Sequence, residues 1–147
     1  MIIIPDANSI ISALIKRGKA LDLFEWNDFR KEIRFIAPEN LSSEIRRNML
    51  EILDKSKISE SDIMDVLDKI ESQMEFIPFS KFERFISRAL EVSPPNDFVY
   101  TALALFLKSE GIDARVLSND KGLLAALSKI GLIGIALHEL LRELKIA

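Results

Sequence analysis

Four carboxylates carry the chemistry that this sequence could perform: Asp6, Glu44, Asp97 and Asp120. They stand out among 23 acidic residues by position alone. Asp6 directly follows Ile2-Ile3-Ile4-Pro5, and Asp120 follows the apolar run 114–118. Asp97 opens a helical pattern after Pro94-Pro95-Asn96, and Glu44 lies within the first two turns of a helix expected from Pro38. Carboxylates brought together repel one another, which raises their pKa values or demands a cation. Cysteine is absent and His138 is the sole histidine. Disulfides, thiolate metal sites, a Cys nucleophile and multi-His zinc are therefore excluded, and a Ser-His-Asp triad is disfavoured. Any metal must be held by carboxylate oxygens, which suits Mg²⁺ or Mn²⁺.

The elements that must position these acids follow from periodicity. Three consecutive isoleucines at 2–4 read as a strand buried on both faces, as in a parallel sheet, with Pro5 ending its ladder for want of an N–H. A helix is expected from Ser9, a turn at 16–19 and a short amphipathic helix over 20–31. Further strands are expected at 33–37, 75–79, 114–118 and 132–136. Helices are expected at 38–53, from the Ser59 cap through Ile70, and at 81–91, 97–109, 120–130 and 137–144. This alternation predicts an α/β fold, a three-layer sandwich around a central parallel sheet, in one domain spanning 1–147. Strands 1–5 and 114–118 are expected to be neighbours. In such a sheet a helix starts at the carboxyl edge of the strand before it, where ligands bind. All four acids can then reach one edge.

Composition narrows the function classes. Hydrophobic residues make up 48% of the 147, which excludes disorder. No apolar run approaches the ~20 residues that cross a bilayer, and the amino terminus lacks a basic n-region and cleavage site. No membrane association, no signal peptide and a cytoplasmic location are expected. A net charge of −3 argues against a broadly basic surface that coats nucleic acid.

Each candidate also has an ordinary reading. Asp at a helix start is a common N-cap, worth about 1 kcal/mol, and a lone helical Glu is ordinarily solvated. Asn8 and Ser118 are suited to orienting ligands, yet equally to an Asx-type turn and a strand-end hydroxyl. Arg46, Arg47 and Lys121 could hold flanking phosphates or form a solvated face, the reading that the pI of about 5.3 favours. His138 reads as structural or exposed. The joint placement of the acids argues for a site, since caps need no particular strand.

Four short motifs occur in order: Ile3-Ile4-Pro5-Asp6-Ala7-Asn8-Ser9, Pro38 with Leu41-Ser42-Ser43-Glu44-Ile45, Asn96-Asp97-Phe98 with Ala102-Leu103-Ala104, and Val116-Leu117-Ser118-Asn119-Asp120-Lys121-Gly122-Leu123. Together they resemble the PIN domain family over nearly the whole chain. The resemblance implies a metal-dependent ribonuclease with Mg²⁺ or Mn²⁺ at an acidic centre. Asp6, Glu44, Asp97 and Asp120 match its acidic, catalytic positions, and Asn8 and Ser118 its supporting polar ones. It implies RNA as substrate and, for a toxin of a toxin–antitoxin pair, an antitoxin partner; other relatives process ribosomal RNA. Two departures stand out. Pro5 sits where the strand usually runs straight into the Asp, and Gly122 lies where some relatives carry another acid.

Competing readings are an aspartyl phosphotransferase and a non-catalytic PIN-like scaffold binding RNA or protein. The phosphotransferase would need a second Asp at position 8, which is Asn, and a remote Lys motif that is missing. Apolar helix faces at 63–70 and 137–144 are candidates for meeting a second subunit, so a homodimer is expected.

Overall fold

The computed structural model describes residues 1–146; Ala147, the last residue of the expected domain, lies outside them. Five strands form one parallel sheet in the order β3-β2-β1-β4-β5. They are β1 (Ile2–Pro5), β2 (Arg34–Pro38), β3 (Met74–Ile77), β4 (Arg115–Leu117) and β5 (Ile133–Ile135). The isoleucine run is central, as expected: Ile3 and Ile4 are fully buried, because helices cover both faces of the sheet. Each such side chain contributes about 1.5–3 kcal/mol by leaving water.

Strands β1 and β4 are neighbours, with Ile3, Ile4 and Pro5 opposite Arg115, Val116 and Leu117. Strand order runs outward from β1 through β2 and β3, then resumes on the other side with β4 and β5. The β1/β4 boundary is thus the topological switch point, where the carboxyl ends of α/β sheets open a crevice. Pro5 does not end this side of the ladder. The Asp6 amide continues it by donating to the Leu117 carbonyl at 3.1 Å. On the other side Pro5 faces β2, and there the pairing extends only to Ile3, so its missing N–H ends the ladder as expected.

The helices are α1 (Ala7–Lys16), α2 (Lys19–Arg30), α3 (Leu41–Arg47), α4 (Met49–Ser56), α5 (Glu60–Glu71), α6 (Phe79–Phe82), α7 (Ile86–Val92), α8 (Phe98–Ser109), α9 (Lys121–Lys129) and α10 (Leu137–Leu144). Several boundaries differ from expectation. Pro38 closes β2 instead of opening a helix, and the expected 38–53 helix is two helices broken at Asn48. There the Asn48 side chain donates to the Glu44 carbonyl at 2.9 Å, a side-chain bond competing with the helical ladder. The expected 81–91 helix starts at Phe79 and is interrupted by a 3₁₀ turn, Glu83–Phe85, after the buried Phe82.

The apolar faces expected to meet a second subunit are used internally. Ile63, Leu67, Ile70, Leu140 and Leu141 all belong to the chain's own core. Gly134 in β5 is a close approach: a Cβ there would fall 2.4 Å from Leu124 Cδ2, so α9 lies directly on the strand. Among the described residues, no helix is long and apolar enough to cross a membrane.

Candidate active site

Asp6 is the anchor. It caps α1, its Oδ1 accepting from the Ser9 amide at 2.9 Å and the Ser9 hydroxyl at 2.6 Å. The same hydroxyl lies 3.2 Å from the Leu117 carbonyl, tying the cap to β4. The side chain is almost wholly buried, at 2% exposure, and its second oxygen, Oδ2, accepts no hydrogen bond. A buried carboxylate oxygen without a partner is costly, so this atom calls for a ligand or a proton. Burial pushes the Asp6 carboxyl above its ordinary value, the nearby Ser118 and Ser9 hydroxyls oppose that, and the charge of Asp120 adds to it.

Asp120 occupies the corresponding place on the adjacent strand connection. It is exposed and caps α9, Oδ1 accepting from the Leu123 amide at 3.0 Å. The fully buried Ser118 hydroxyl accepts from the Asp120 amide at 3.0 Å, fixing the turn between β4 and α9. At Gly122 a Cβ would stand 3.2 Å from Asp120 Oδ1 and 3.6 Å from Pro94 Cγ. The Pro94-Pro95 loop therefore comes close to the start of α9, on the side of Asp120.

That loop delivers Asp97. Its turn is closed by the Asp97 amide on the Pro94 carbonyl at 3.0 Å, and Ser93 is tied to the buried Thr101 at 2.6 Å. Asp97 stands at the cap position of α8 but its side chain makes no capping bond. Its carboxyl is pushed up to about 6, by burial first, then by Asp120, Asp6 and Glu44. All three other acids act on it electrostatically, which is what assembly at one edge requires.

Glu44, half-buried on α3, is held by a residue that sequence reasoning passes over. The Tyr100 hydroxyl donates to Glu44 Oε2 at 2.9 Å and accepts from the Ala7 amide at 3.1 Å. Burial, followed by the Glu44 charge, raises the Tyr100 pKa. Ser9 is likewise missed as a site residue, although its spacing from Asp6 is that of a capping partner.

The remaining candidates are less engaged. Asn8 is exposed and lines a cleft of about 290 Å³ with Ser9, Ser12, Asn119 and Asp120. Arg46 is turned to Glu71, at 3.0 Å, and is not open toward the acids. Arg47, Lys121 and His138 are exposed. A larger cleft at the amino end of the sheet, around Met1, Ala114 and Ile133, lies away from the four acids.

As positioned, no three acids among the described residues stand close enough to share one ion. The donor set nevertheless fits a hard divalent cation: oxygen donors only, one of them the unpartnered Asp6 Oδ2, with mutual repulsion that a cation would relieve. One consequence can be measured without metal. Because the Asp97 carboxyl rises from 3.8 to about 6 on folding, the native state binds more protons between those values, and stability falls as pH rises through them. Asp97→Asn should therefore melt higher than the wild type in EDTA near neutral pH, and the gap should close toward pH ~4. Asp97 is only half-buried, so solvent screening limits the effect to about 1 kcal/mol or less, about 2–4 °C in Tm.

The PIN domain family model matches residues 4–138. No curated protein matches the chain. VapBC2 from Rickettsia felis, solved bound to a DNA fragment from their promoter, is 18% identical with a TM-score of 0.59. The match covers 92% of this chain and 98% of that one. PAE2754 from Pyrobaculum aerophilum is 16% identical with a TM-score of 0.60, covering 99% and 90%. At these identities the two structures share the fold.

Proposed function

The chain belongs to the PIN domain family, and on that premise we propose that it is a divalent-metal-dependent endoribonuclease hydrolysing RNA phosphodiester bonds. The observation that carries this reading is the buried, unpartnered Asp6 Oδ2 beside an Asp97 raised by the charges of Asp120, Asp6 and Glu44. Asp6, Glu44, Asp97 and Asp120 would hold Mg²⁺ or Mn²⁺. A bound ion of this kind neutralises charge on a phosphoryl oxygen and makes water a better nucleophile at neutral pH.

The chain's own groups do the positioning. Asp6 uses Oδ1 to fix α1 and keeps Oδ2 for the ligand, so capping and ligation share one residue. Ser9 holds the Asp6 anchor, Ser118 fixes the turn at Asp120, and Asn8 borders the cleft through which substrate would approach. Arg46 is held by Glu71 and is poorly placed to grip phosphate; Arg47 and Lys121 remain for flanking contacts.

The wider role proposed is that of a cytoplasmic toxin of a toxin–antitoxin pair, with an antitoxin and a second copy of the chain as protein partners, or of an RNA-processing nuclease. The VapBC2 likeness supports the toxin side of this reading. Incubating the protein with labelled single-stranded RNA in Mn²⁺, Mg²⁺ or EDTA tests the activity. Internal cleavage with either metal and none in EDTA is expected. RNA bound but left uncut in all three would instead identify a non-catalytic scaffold.

A further inference from the structure

We propose that Tyr100 is a positioning residue whose hydroxyl fixes Glu44 in the acidic site. The inference rests on the metal-site reading above and deepens it. Tyr100 lies one helical turn after Asp97 on α8, so the helix that presents one acid also presents the clamp for another. The ring is 2% exposed and buried in the core, leaving the hydroxyl little freedom. That hydroxyl meets two elements at once: it accepts from the Ala7 amide at 3.1 Å and donates to Glu44 Oε2 at 2.9 Å.

The Ala7 amide belongs to the residue directly after Asp6, at the first turn of α1. Amides there have no helical acceptor and need a partner. With the amide donating to it, the phenol oxygen has its proton available for one acceptor, and Glu44 is that acceptor. The three connections leading to Asp6, Glu44 and Asp97 are thus tied at one oxygen atom. Without the tie, Glu44 is a half-buried side chain on the seven-residue helix α3, with several rotatable bonds to lose on ligation. With it, Oε2 is committed and Oε1 is left to face a ligand. Partners of ligating carboxylates set ligand orientation in this manner.

Two measurements on the full chain test the assignment. The first is calorimetric titration of Mn²⁺ into the wild type, Tyr100→Phe, Glu44→Gln and the double variant. Tyr100→Phe should weaken Mn²⁺ binding by about 10–100-fold, and in the Glu44→Gln background it should add little, since the two act through one bond. Wild-type affinity in Tyr100→Phe, or fully additive losses, would overturn the assignment. Asp6→Asn separates the two levels: if it and Glu44→Gln both bind Mn²⁺ like the wild type, the metal site itself is wrong.

The second measurement does not require Tyr100→Phe to fold. Tyr100 is the only tyrosine in the chain, so the tyrosine Raman doublet reports its hydroxyl without labelling. Glu44→Ala should shift the doublet away from that of a strong donor, while Trp26, the only tryptophan, stays unchanged. A doublet indifferent to Glu44→Ala would show that the hydroxyl does not hold Glu44, and the proposal would fall.

Discussion

Asp6→Asn and Asp97→Asn should each abolish metal-dependent RNA cleavage, by at least about 10²–10³-fold, the loss seen when one transition-state electrostatic contact is removed. The fold should survive both changes. The side-chain amide introduced by Asp6→Asn keeps an acceptor oxygen for the Ser9 N–H, so the α1 cap stands. Asp97 makes no capping bond that could be lost. What each change removes is one negative charge from the proposed four-acid site, where Asp97 already feels Asp120, Asp6 and Glu44. In EDTA the Asp97 variant should be slightly more stable than the wild type, because burial and three neighbouring acids disfavour its ionised form. A variant that unfolds would lose activity for an uninformative reason, so thermal melts must accompany the assay. Full cleavage by a folded Asp6→Asn or Asp97→Asn protein would remove that residue from the site.

RNA binding should depend on the divalent ion more than on the basic residues. The net charge of −3 gives no long-range attraction for a polyanion, and the apo edge should repel phosphate. Arg46 is already committed to Glu71, at 3.0 Å, and the Ser42 hydroxyl donates to the same carboxylate. Chelation should therefore weaken binding of a cleavage-resistant single-stranded RNA by about tenfold or more, which is about 1.4 kcal/mol. Arg46→Ala/Arg47→Ala should cost less than that. The titration is done at fixed salt, because phosphate contacts are salt-dependent. If the double change abolishes binding and EDTA leaves it intact, RNA is gripped by a basic surface and not at the acids.

The parts of this site that sequence could disclose are those whose signal is local. The isoleucine run predicts a doubly buried strand because no solvated face tolerates three consecutive isoleucines, and β1 is indeed central. Asp6 and Asp120 are legible as helix openers, and both do cap. Asp97 shows the same pattern without the capping bond; its environment depends on where the Pro94-Pro95 loop folds, which is a tertiary matter. Tyr100 stays hidden because a tyrosine inside an apolar helix reads as core. Its polar end finds partners 56 and 93 residues away in sequence. The break at Asn48 escapes for a related reason: a side chain bonding the Glu44 carbonyl ends α3, whereas apolar spacing alone runs through it. Pro38 fits a helix start or a strand end equally well by its φ, and pairing with β3 decides the outcome.

The claim on which everything else depends is that the four acids form a cation site at the carboxyl edge of β1 and β4. Crystals soaked in Mn²⁺, with anomalous scattering recorded at the manganese edge, test it most directly. The expected result is a peak in contact with Asp6 Oδ2, Asp97 and Asp120, with Glu44 within reach directly or through water. Absence of any peak there at Mn²⁺ concentrations that support RNA cleavage, or a peak confined to other residues, would contradict it.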